Sequence, residues 1–271
     1  MKFFAACTFI FAAVLSVNGN PLANRLFGSE PSSIKNEGAC VVSLVYEKEF
    51  IGHGVLIKPD VVLTTASLLQ GRSGAGFEIR AGSENFYQGG QVLYPATIIV
   101  NRDYDDVTKQ NNIGMIFMCQ PFTSADVQTC TLPPSIGEGS DPTLEIPSNG
   151  TIFGWGSPLK EVVDQAVSPI LREITLSPNF DKLDDNCKRY NTNEQVCLNS
   201  DLNKNICYRD LGNGYVKDRV VYCIASDSGP CYTNLETPNN AICTSVSAHL
   251  EWIYKIYFTY ANESSRVCIP K

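Results

Sequence analysis

The histidines of this chain limit the chemistry that its serines can perform, because the 271 residues include only two of them, His53 and His249. A serine hydroxyl becomes a nucleophile for acyl transfer when a histidine accepts its proton and a carboxylate orients that histidine. Ser228 follows Asp227 in the segment CIASDSGP at residues 223–230, and it is a possible nucleophile of this kind. Any mechanism of this kind must use His53 or His249 as its base.

The cysteines are a second group of reactive side chains, and there are eleven of them. Removal of an N-terminal segment that contains Cys7 leaves an even set, which predicts a disulfide framework in an oxidising compartment. A zinc site is disfavoured, because no C-x-x-C pair occurs and the histidines lie far apart in the sequence. We therefore expect neither a metal nor a cofactor.

Residues 1–19 have the features of a signal peptide. Lys2 is followed by an apolar run over residues 3–17 and by small or polar residues at the cleavage site. This run is too short for a membrane-spanning helix, and every later apolar run is interrupted within a few positions. We expect a secreted, extracellular protein, in which Asn149 and Asn262 are glycosylation acceptors.

The composition predicts a folded domain and argues against two classes of partner. Hydrophobic residues make up 44% of the chain and charged residues 18%, which is enough apolar material for a large core. The formal net charge is −7, and no basic run occurs. Nucleic acid and an anionic membrane are therefore not expected as partners.

Short apolar segments separated by Gly, Pro, Asn and Asp predict an all-β architecture. The region from Val246 onwards differs, because Leu250, Ile253 and Tyr257 recur at helical spacing and predict a terminal amphipathic helix. The predicted strands cover residues 40–46, 54–57, 61–63, 77–81, 97–100, 113–118 and 151–155.

Eight short motifs occur in order along the chain: RLFGS at 25–29, VSL at 42–44, GVLI at 54–57, VLTTA at 62–66, NNI at 111–113, GWG at 154–156, SGP at 228–230 and WI at 252–253. Similar motifs occur in the same order in the chymotrypsin-like (S1-type, trypsin-fold) serine proteases, and the chain resembles that family over nearly all of its mature length. The resemblance implies two antiparallel six-stranded β-barrels with the active site between them, and a C-terminal α-helix. It also implies cleavage after Arg25, which would remove residues 20–25 as a propeptide and leave one domain over residues 26–271.

The catalytic positions that the resemblance implies are occupied by other residue types. The family's T-A-A-H-C segment corresponds to residues 64–68, which puts Ser67 at the place of the general base. Its N-D-I segment corresponds to residues 111–113, which puts Asn112 at the place of the orienting aspartate. A serine is not a general base near neutral pH, and an amide does not balance the charge of an imidazolium.

The family's C-x-G-D-S-G-G-P segment aligns without a gap on residues 223–230, and this register puts Asp227 at the place of the nucleophile. Ser226 then replaces the aspartate that forms an ion pair with the new amino terminus in the family. The amino group freed by cleavage after Arg25 would therefore have no aspartate to pair with. Ala225 replaces a glycine of the oxyanion hole. A gapped register keeps Ser228 as a relic of the nucleophile, but it still lacks the base and the orienting acid.

In the gapless register the substrate pocket is altered as well. Val221 stands two residues before Cys223, where trypsin-like members carry the residue of the pocket floor, and the bulky Tyr222 follows it. A cationic substrate side chain would find no opposite charge there.

The resemblance also implies one disulfide, between Cys187 and Cys197. The disulfide that closes the loop bearing the histidine is absent, because Gly52 and Leu68 stand at its two places. Cys119 and Cys130 flank one loop and are candidates for a local pair, while the remaining pairings stay open.

Two interpretations remain for His53, which lies two residues after Ile51 and directly before Gly54, at a place that the resemblance implies is close to the nucleophile's backbone. It could form a substitute dyad with Ser228 or Ser67, or it could be a histidine at a barrel rim with no catalytic part, which we favour because a base also needs an orienting partner. His249 lies on the terminal helix, where we expect a surface residue.

We therefore expect a secreted, catalytically inactive serine protease homologue that acts by binding a protein such as a protease, an inhibitor or a host-defence component. The alternative is a serine endopeptidase with a non-standard site formed by Ser228 and His53. A third possibility is an abundant secreted protein whose fold serves only as a stable scaffold.

Overall fold

The structure, a computed structural model, describes residues 29–35, 37–135, 145–156, 170–180, 187, 193–199, 206, 209–228, 241–261 and 268. Residues 1–25, with the expected signal peptide and Arg25, lie outside this part of the chain, and so do Asn262, Cys207 and Cys231. The described residues form two curled antiparallel sheets and a C-terminal helix, so the fold is mostly β, as predicted.

The first sheet contains seven of the described strands, in the order β6-β5-β2-β3-β4-β8-β7. Most of these strands are rich in Val, Ile, Leu and Phe, which suits a pleated and largely buried surface. Their bounds are β2 Val41–Tyr46, β3 Glu49–Lys58, β4 Val61–Thr64, β5 Phe77–Ala81, β6 Gln91–Leu93, β7 Pro95–Val100 and β8 Gly114–Met118.

The second sheet has the order β1-β10-β11-β14-β13-β12-β9, and it curls into a barrel because β10 also pairs with β9. Each sheet has seven described strands where six were expected, since the short strands β1 and β6 each add at an edge. The bounds are β1 Glu30–Pro31, β9 Gly150–Gly154, β10 Arg172–Asn179, β11 Gln195–Asn199, β12 Gly214–Lys217, β13 Val220–Asp227 and β14 Ala241–Ser245.

Two α-helices occur in the described residues. Helix α1 is a single turn, Ala66–Leu69, directly after β4, and it carries Ser67. Helix α2, Leu250–Tyr260, follows a 3₁₀ turn at Ser247–His249 and buries Leu250 and Ile253, as its periodicity predicted. Neither helix has the length and apolar character that a membrane crossing requires.

The apolar core is continuous between the two sheets. One buried cluster contains Val55 and Phe117 from the first sheet, Phe153 and Ile224 from the second, and Ile253 of α2. Each sheet also encloses a cluster of its own. This shared core holds the sheets together along the interface where the candidate site lies.

Candidate functional site

Asn112 joins the two sheets at the centre of the candidate site. Its side chain is completely buried. The Oδ1 atom accepts a hydrogen bond from the backbone N–H of Ser67 at 2.9 Å, and Nδ2 donates to the carbonyl oxygen of Ser226 at 2.9 Å. Both halves of the amide are therefore used, one toward α1 and one toward β13. An amide suits this place because a carboxylate could not donate to Ser226.

Ser67 lies in a polar surrounding without a base. Its hydroxyl donates to Thr65 Oγ1 at 3.2 Å. The hydroxyl of Tyr104 lies near it and donates to Asp106 Oδ1 at 2.7 Å. Burial, followed by the Asp106 carboxylate, raises the pKa of Tyr104 above its usual value, so the phenol stays protonated. None of these groups accepts a proton readily near neutral pH.

A turn over residues 210–213 crosses between the sheets beside Ser67. The backbone N–H of His53 in β3 donates to the Leu211 carbonyl at 2.9 Å, and the N–H of Gly212 donates to the Ala225 carbonyl in β13 at 2.9 Å. Leu211 and Ser67 line the same cavity. The turn before β12 therefore brings Leu211 to the cavity that Ser67, at the expected base position, also lines.

Gly212 is required by the close approach of this turn to β3. Its φ is +85°, and a Cβ there would lie 2.0 Å from the carbonyl oxygen of His53. Only glycine adopts this conformation without steric cost.

The turn gives a second register for the nucleophile motif, which sequence reasoning missed. Residues 207–214, CYRDLGNG, match the family's C-x-G-D-S-G-G-P at Cys207, Asp210 and Gly212. In this register Leu211 occupies the nucleophile position and Arg209 replaces the oxyanion-hole glycine. The signal that could have found it is a cysteine followed at the right spacing by aspartate and glycine. The segment at 223–230 was preferred because it also contains serine and proline.

The gapless register is corrected by the position of its residues in β13. Asp227 pairs with Ile242 of β14 and lies at the end of a strand, so it is not in a turn that approaches β3. The backbone N–H of Ala225 donates to the Asn213 carbonyl at 2.8 Å and is not available to an oxyanion. Ser226 donates its hydroxyl to the Ile242 carbonyl at 3.2 Å.

The expected pocket residues are corrected in the same way. Val221 is completely buried in the shared core, and Tyr222 packs against the core of the second sheet. In the register of the turn, the position two residues before Cys207 is Asn205, which lies outside the described residues.

The receiver for a new amino terminus is also reassigned. Asp210, and not Ser226, precedes the nucleophile position, and it is completely buried. The gapless register put Ser226 at this position and therefore left the new amino terminus without an aspartate. In the register of the turn, Asp210 occupies the position, so that expectation does not hold.

His53 is buried between the sheets, where a position at a barrel rim was expected. Its Nε2 atom accepts a hydrogen bond from the backbone N–H of Trp155 at 2.8 Å, and its ring stacks on the indole with centroids 5.6 Å apart. Burial lowers the pKa of His53 to about 3, although the backbone carbonyls of Leu211 and Arg209 act in the opposite direction. No side chain of the described residues is hydrogen-bonded to either ring nitrogen.

The structure thus does not bring His53 and Ser228 together as a dyad. The Nε2 lone pair is already used by Trp155, and the neutral ring carries its proton on Nδ1. The Oγ atom of Ser228 has no hydrogen-bond partner among the described residues, and its backbone N–H donates to Asp227 Oδ1 at 2.9 Å.

His249 is buried, contrary to the expectation of a surface residue. Only 4% of it is exposed, because the 3₁₀ turn before α2 directs its ring toward β14 and the loop before β8. The Nδ1 atom lies 2.7 Å from the Ser245 carbonyl, and Nε2 lies 3.3 Å from Asn111 Oδ1. Burial lowers its pKa below the usual value.

Four disulfides lie in the described part of the chain. Cys187 is joined to Cys197, the pair that the resemblance implies. The local pair of Cys119 with Cys130 is wrong, because those residues bind partners far away in sequence. The other disulfides are Cys40–Cys130, Cys119–Cys268 and Cys223–Cys243.

The place of the absent disulfide is filled by an aliphatic side chain. A Cβ on Gly52 would lie 2.7 Å from Leu68 Cδ1, so the two residues face each other as a cysteine pair would. The candidate glycan site Asn149 is exposed and accepts a hydrogen bond from Lys217 Nζ at 2.7 Å. Within the described residues, no group of three His, Cys, Asp or Glu side chains could hold a metal ion.

Comparisons with known proteins agree with this architecture. A chymotrypsin-2 of Vespa crabro is 30% identical over 219 residues, which are 79% of this chain and 92% of the relative. A trypsin, Blo t 3, of Blomia tropicalis is 26% identical over 268 residues, or 90% of this chain and 96% of the relative.

Solved structures include a similar fold. The crystal structure of the scabies mite inactivated protease paralogue S-D1 superposes with a TM-score of 0.70 at 21% identity, over 86% of this chain and 97% of that one. The family model described as Trypsin matches residues 27–253. The chain therefore belongs to the trypsin family of chymotrypsin-like serine proteases.

Proposed function

We propose that this chain is a secreted member of the trypsin family that is catalytically inactive and acts by binding another protein. The observation that carries the proposal is that Leu211, which stands at the nucleophile position in the register of the turn, lines the same cavity as Ser67. A leucine cannot attack a carbonyl group, and Ser67 cannot activate a nucleophile. Asn112, in turn, has no carboxylate with which to orient a base.

The surroundings of these positions support the same proposal. Arg209 stands where the family has a glycine of the oxyanion hole, so the electrostatic part of catalysis is altered along with the triad. In an active enzyme of this type, removal of the triad lowers kcat by on the order of 10⁶. Both histidines of the chain are buried in other roles.

Secretion is supported by the N-terminal features of a signal peptide and by the four disulfides, since such bonds persist in oxidising compartments. A protein such as a protease, an inhibitor or a host-defence component remains the proposed kind of partner. The scabies mite relative, which is described as an inactivated protease paralogue, is consistent with loss of catalysis on this scaffold.

Incubation of the purified mature protein with a fluorophosphonate probe and a mixed peptide library tests the proposal, with trypsin as the positive control. We expect no covalent label and no cleaved peptide. Labelling of Ser228 that is lost in Ser228→Ala, together with cleavage that is lost in His53→Gln, would contradict the proposal and support the endopeptidase alternative. Affinity capture from the native fluid then separates a binding protein from an inert body.

Processing at Arg25 is part of the proposal, because Asp210 is present as a receiver for the new amino terminus. The form that begins at Leu26 is expected to melt at a higher temperature than uncut Arg25→Gln protein. Equal melting temperatures of the two forms would argue against processing as a structural switch.

A further inference from the structure

A cavity of about 340 Å³ lies beside the altered catalytic positions, and it contains two arginines. Phe50, Ile51, Leu68 and Leu211 form apolar walls, and Ser67 lies among them. Arg72 lines the cavity from the loop after α1, and Arg209 lines it from the turn that carries Leu211. The cavity is thus built from both sheets and from the residues by which this chain departs from its family.

Neither guanidinium is neutralised within the described part of the chain. The ion pair that occurs among the described residues joins Lys109 to Asp106, and neither of these two residues lines the cavity. Glu49 lines the same cavity but does not form an ion pair with Arg72 or Arg209. The cavity therefore has a local excess of positive charge in a chain whose net charge is −7.

Arg72 is held in place before any ligand arrives. Its Nη1 atom donates to the Leu68 carbonyl at 3.0 Å, and its guanidinium carbon lies 5.5 Å from the ring centre of Tyr46. A fixed guanidinium loses less freedom on binding, and its planar set of donors matches a carboxylate. The apolar walls suit the methylene groups that precede a carboxylate in a side chain.

We propose that this cavity binds an acidic side chain, aspartate or glutamate, of a partner protein. The cavity is large enough for such a side chain, since its volume lies within the range for small-molecule sites. The inference rests on the proposed function, since in a working protease this place would serve the substrate. It adds that this cavity selects partner proteins by the negative charge of their side chains.

The test uses the mature protein and a soluble library of randomised heptapeptides, with retained peptides sequenced by mass spectrometry. Arg72→Gln, Arg209→Gln and the double variant remove the charges of the cavity. Arg102→Gln is the matched control, because Arg102 is exposed and does not line the cavity. Thermal melting verifies that each variant is folded.

We expect the native protein to retain peptides rich in glutamate and aspartate, and each cavity variant to lower that enrichment about tenfold. Arg102→Gln should leave it unchanged, and rising salt should weaken it. Absence of acidic enrichment, its persistence in the double variant, or an equal loss in Arg102→Gln would overturn the inference. Complete displacement by millimolar acetate or inorganic phosphate would also overturn it, in favour of a small-anion site.

The same experiment separates this inference from the proposed function. Recovery of shortened peptides would show cleavage and contradict the proposed function, whether or not acidic peptides are enriched. Intact peptides without acidic enrichment would leave the proposed function standing and remove only the assignment of the cavity.

Discussion

The Nε2 atom of His53 accepts a hydrogen bond from the backbone N–H of Trp155, 102 residues further along the chain, at 2.8 Å. The two rings are nearly parallel, with 3° between their planes. This contact joins β3 of the first sheet to the end of β9 in the second. A histidine that could have been a base therefore has a structural role, and it performs that role only when the ring is neutral.

Acidification is expected to destabilise the protein through His53. Because its pKa is about 3 in the folded chain and has the ordinary histidine value of 6.5 in the unfolded chain, the unfolded chain binds the extra proton between these values. The stabilisation is complete above pH 6.5 and decreases as the pH falls toward 3. We expect a loss of about 2 kcal/mol between pH 7 and pH 5, measured by urea unfolding.

Two variants identify the source of that pH dependence. His53→Gln should have a lower free energy of unfolding at pH 7 and a flatter slope between pH 7 and 5. His249→Gln should flatten the slope as well, because burial lowers the pKa of His249 in the same direction. An unchanged slope in both variants would assign the acid sensitivity to carboxyl groups.

Substitution of Gly212 by alanine should be among the most damaging single changes at this interface. The new methyl group would overlap the His53 carbonyl, and we expect a loss of about 3 kcal/mol or more. Gly71→Ala is the control, because Gly71 also has a positive φ, +73°, but has nothing within 4 Å of a new Cβ. It should cost only about 1 kcal/mol. Equal losses of unfolding free energy in both variants would mean that the turn moves enough to accommodate the new methyl group.

Asn112→Asp should destabilise the protein, even though it restores the residue type of the resembled family. The carboxylate would face the carbonyl oxygen of Ser226 in a completely buried place, and it could not donate a hydrogen bond to that oxygen. We expect a loss of about 3 kcal/mol at pH 7 and partial recovery at low pH, where the acid is protonated. The exposed Asn149→Asp should change the free energy of unfolding by less than about 0.5 kcal/mol. A stable Asn112→Asp protein would show that Ser226 can reorient.

Loss of the Cys119–Cys268 disulfide should cost more stability than loss of Cys187–Cys197. Their sequence separations are 149 and 10 residues, and the longer loop releases more entropy in the unfolded chain. The double alanine variants should differ by about 2 kcal/mol in urea unfolding. A larger cost for the short loop would indicate that local strain or packing dominates.

Sequence patterns predicted the strands well, because buried β-strands such as Phe77–Ala81 carry alternating apolar residues between turns. The family resemblance, and not the strand pattern, assigned Ser67 and Asn112 to one site, and the structure joins these two residues through one hydrogen bond. The nucleophile position was misplaced for a physical reason. The fold retains a buried aspartate and a glycine of positive φ at residues 210 and 212, whereas the motif alignment relied on serine and proline.

His249 shows a different limit of sequence reasoning. Helical spacing placed it next to α2, but its burial depends on Asn111, which is 138 residues away. Periodicity describes one element at a time, and it contains no information on which distant loop covers a side chain. The long-range pairs of Cys40 and Cys119 were unpredictable for the same reason.

The two long disulfides have a consequence for limited proteolysis of this protein. Cys40–Cys130 and Cys119–Cys268 span overlapping stretches of the chain. A single cut anywhere between residues 40 and 268 therefore releases no fragment, because at least one of these bonds still connects the two pieces. The molecule can be nicked and yet migrate as one species until it is reduced.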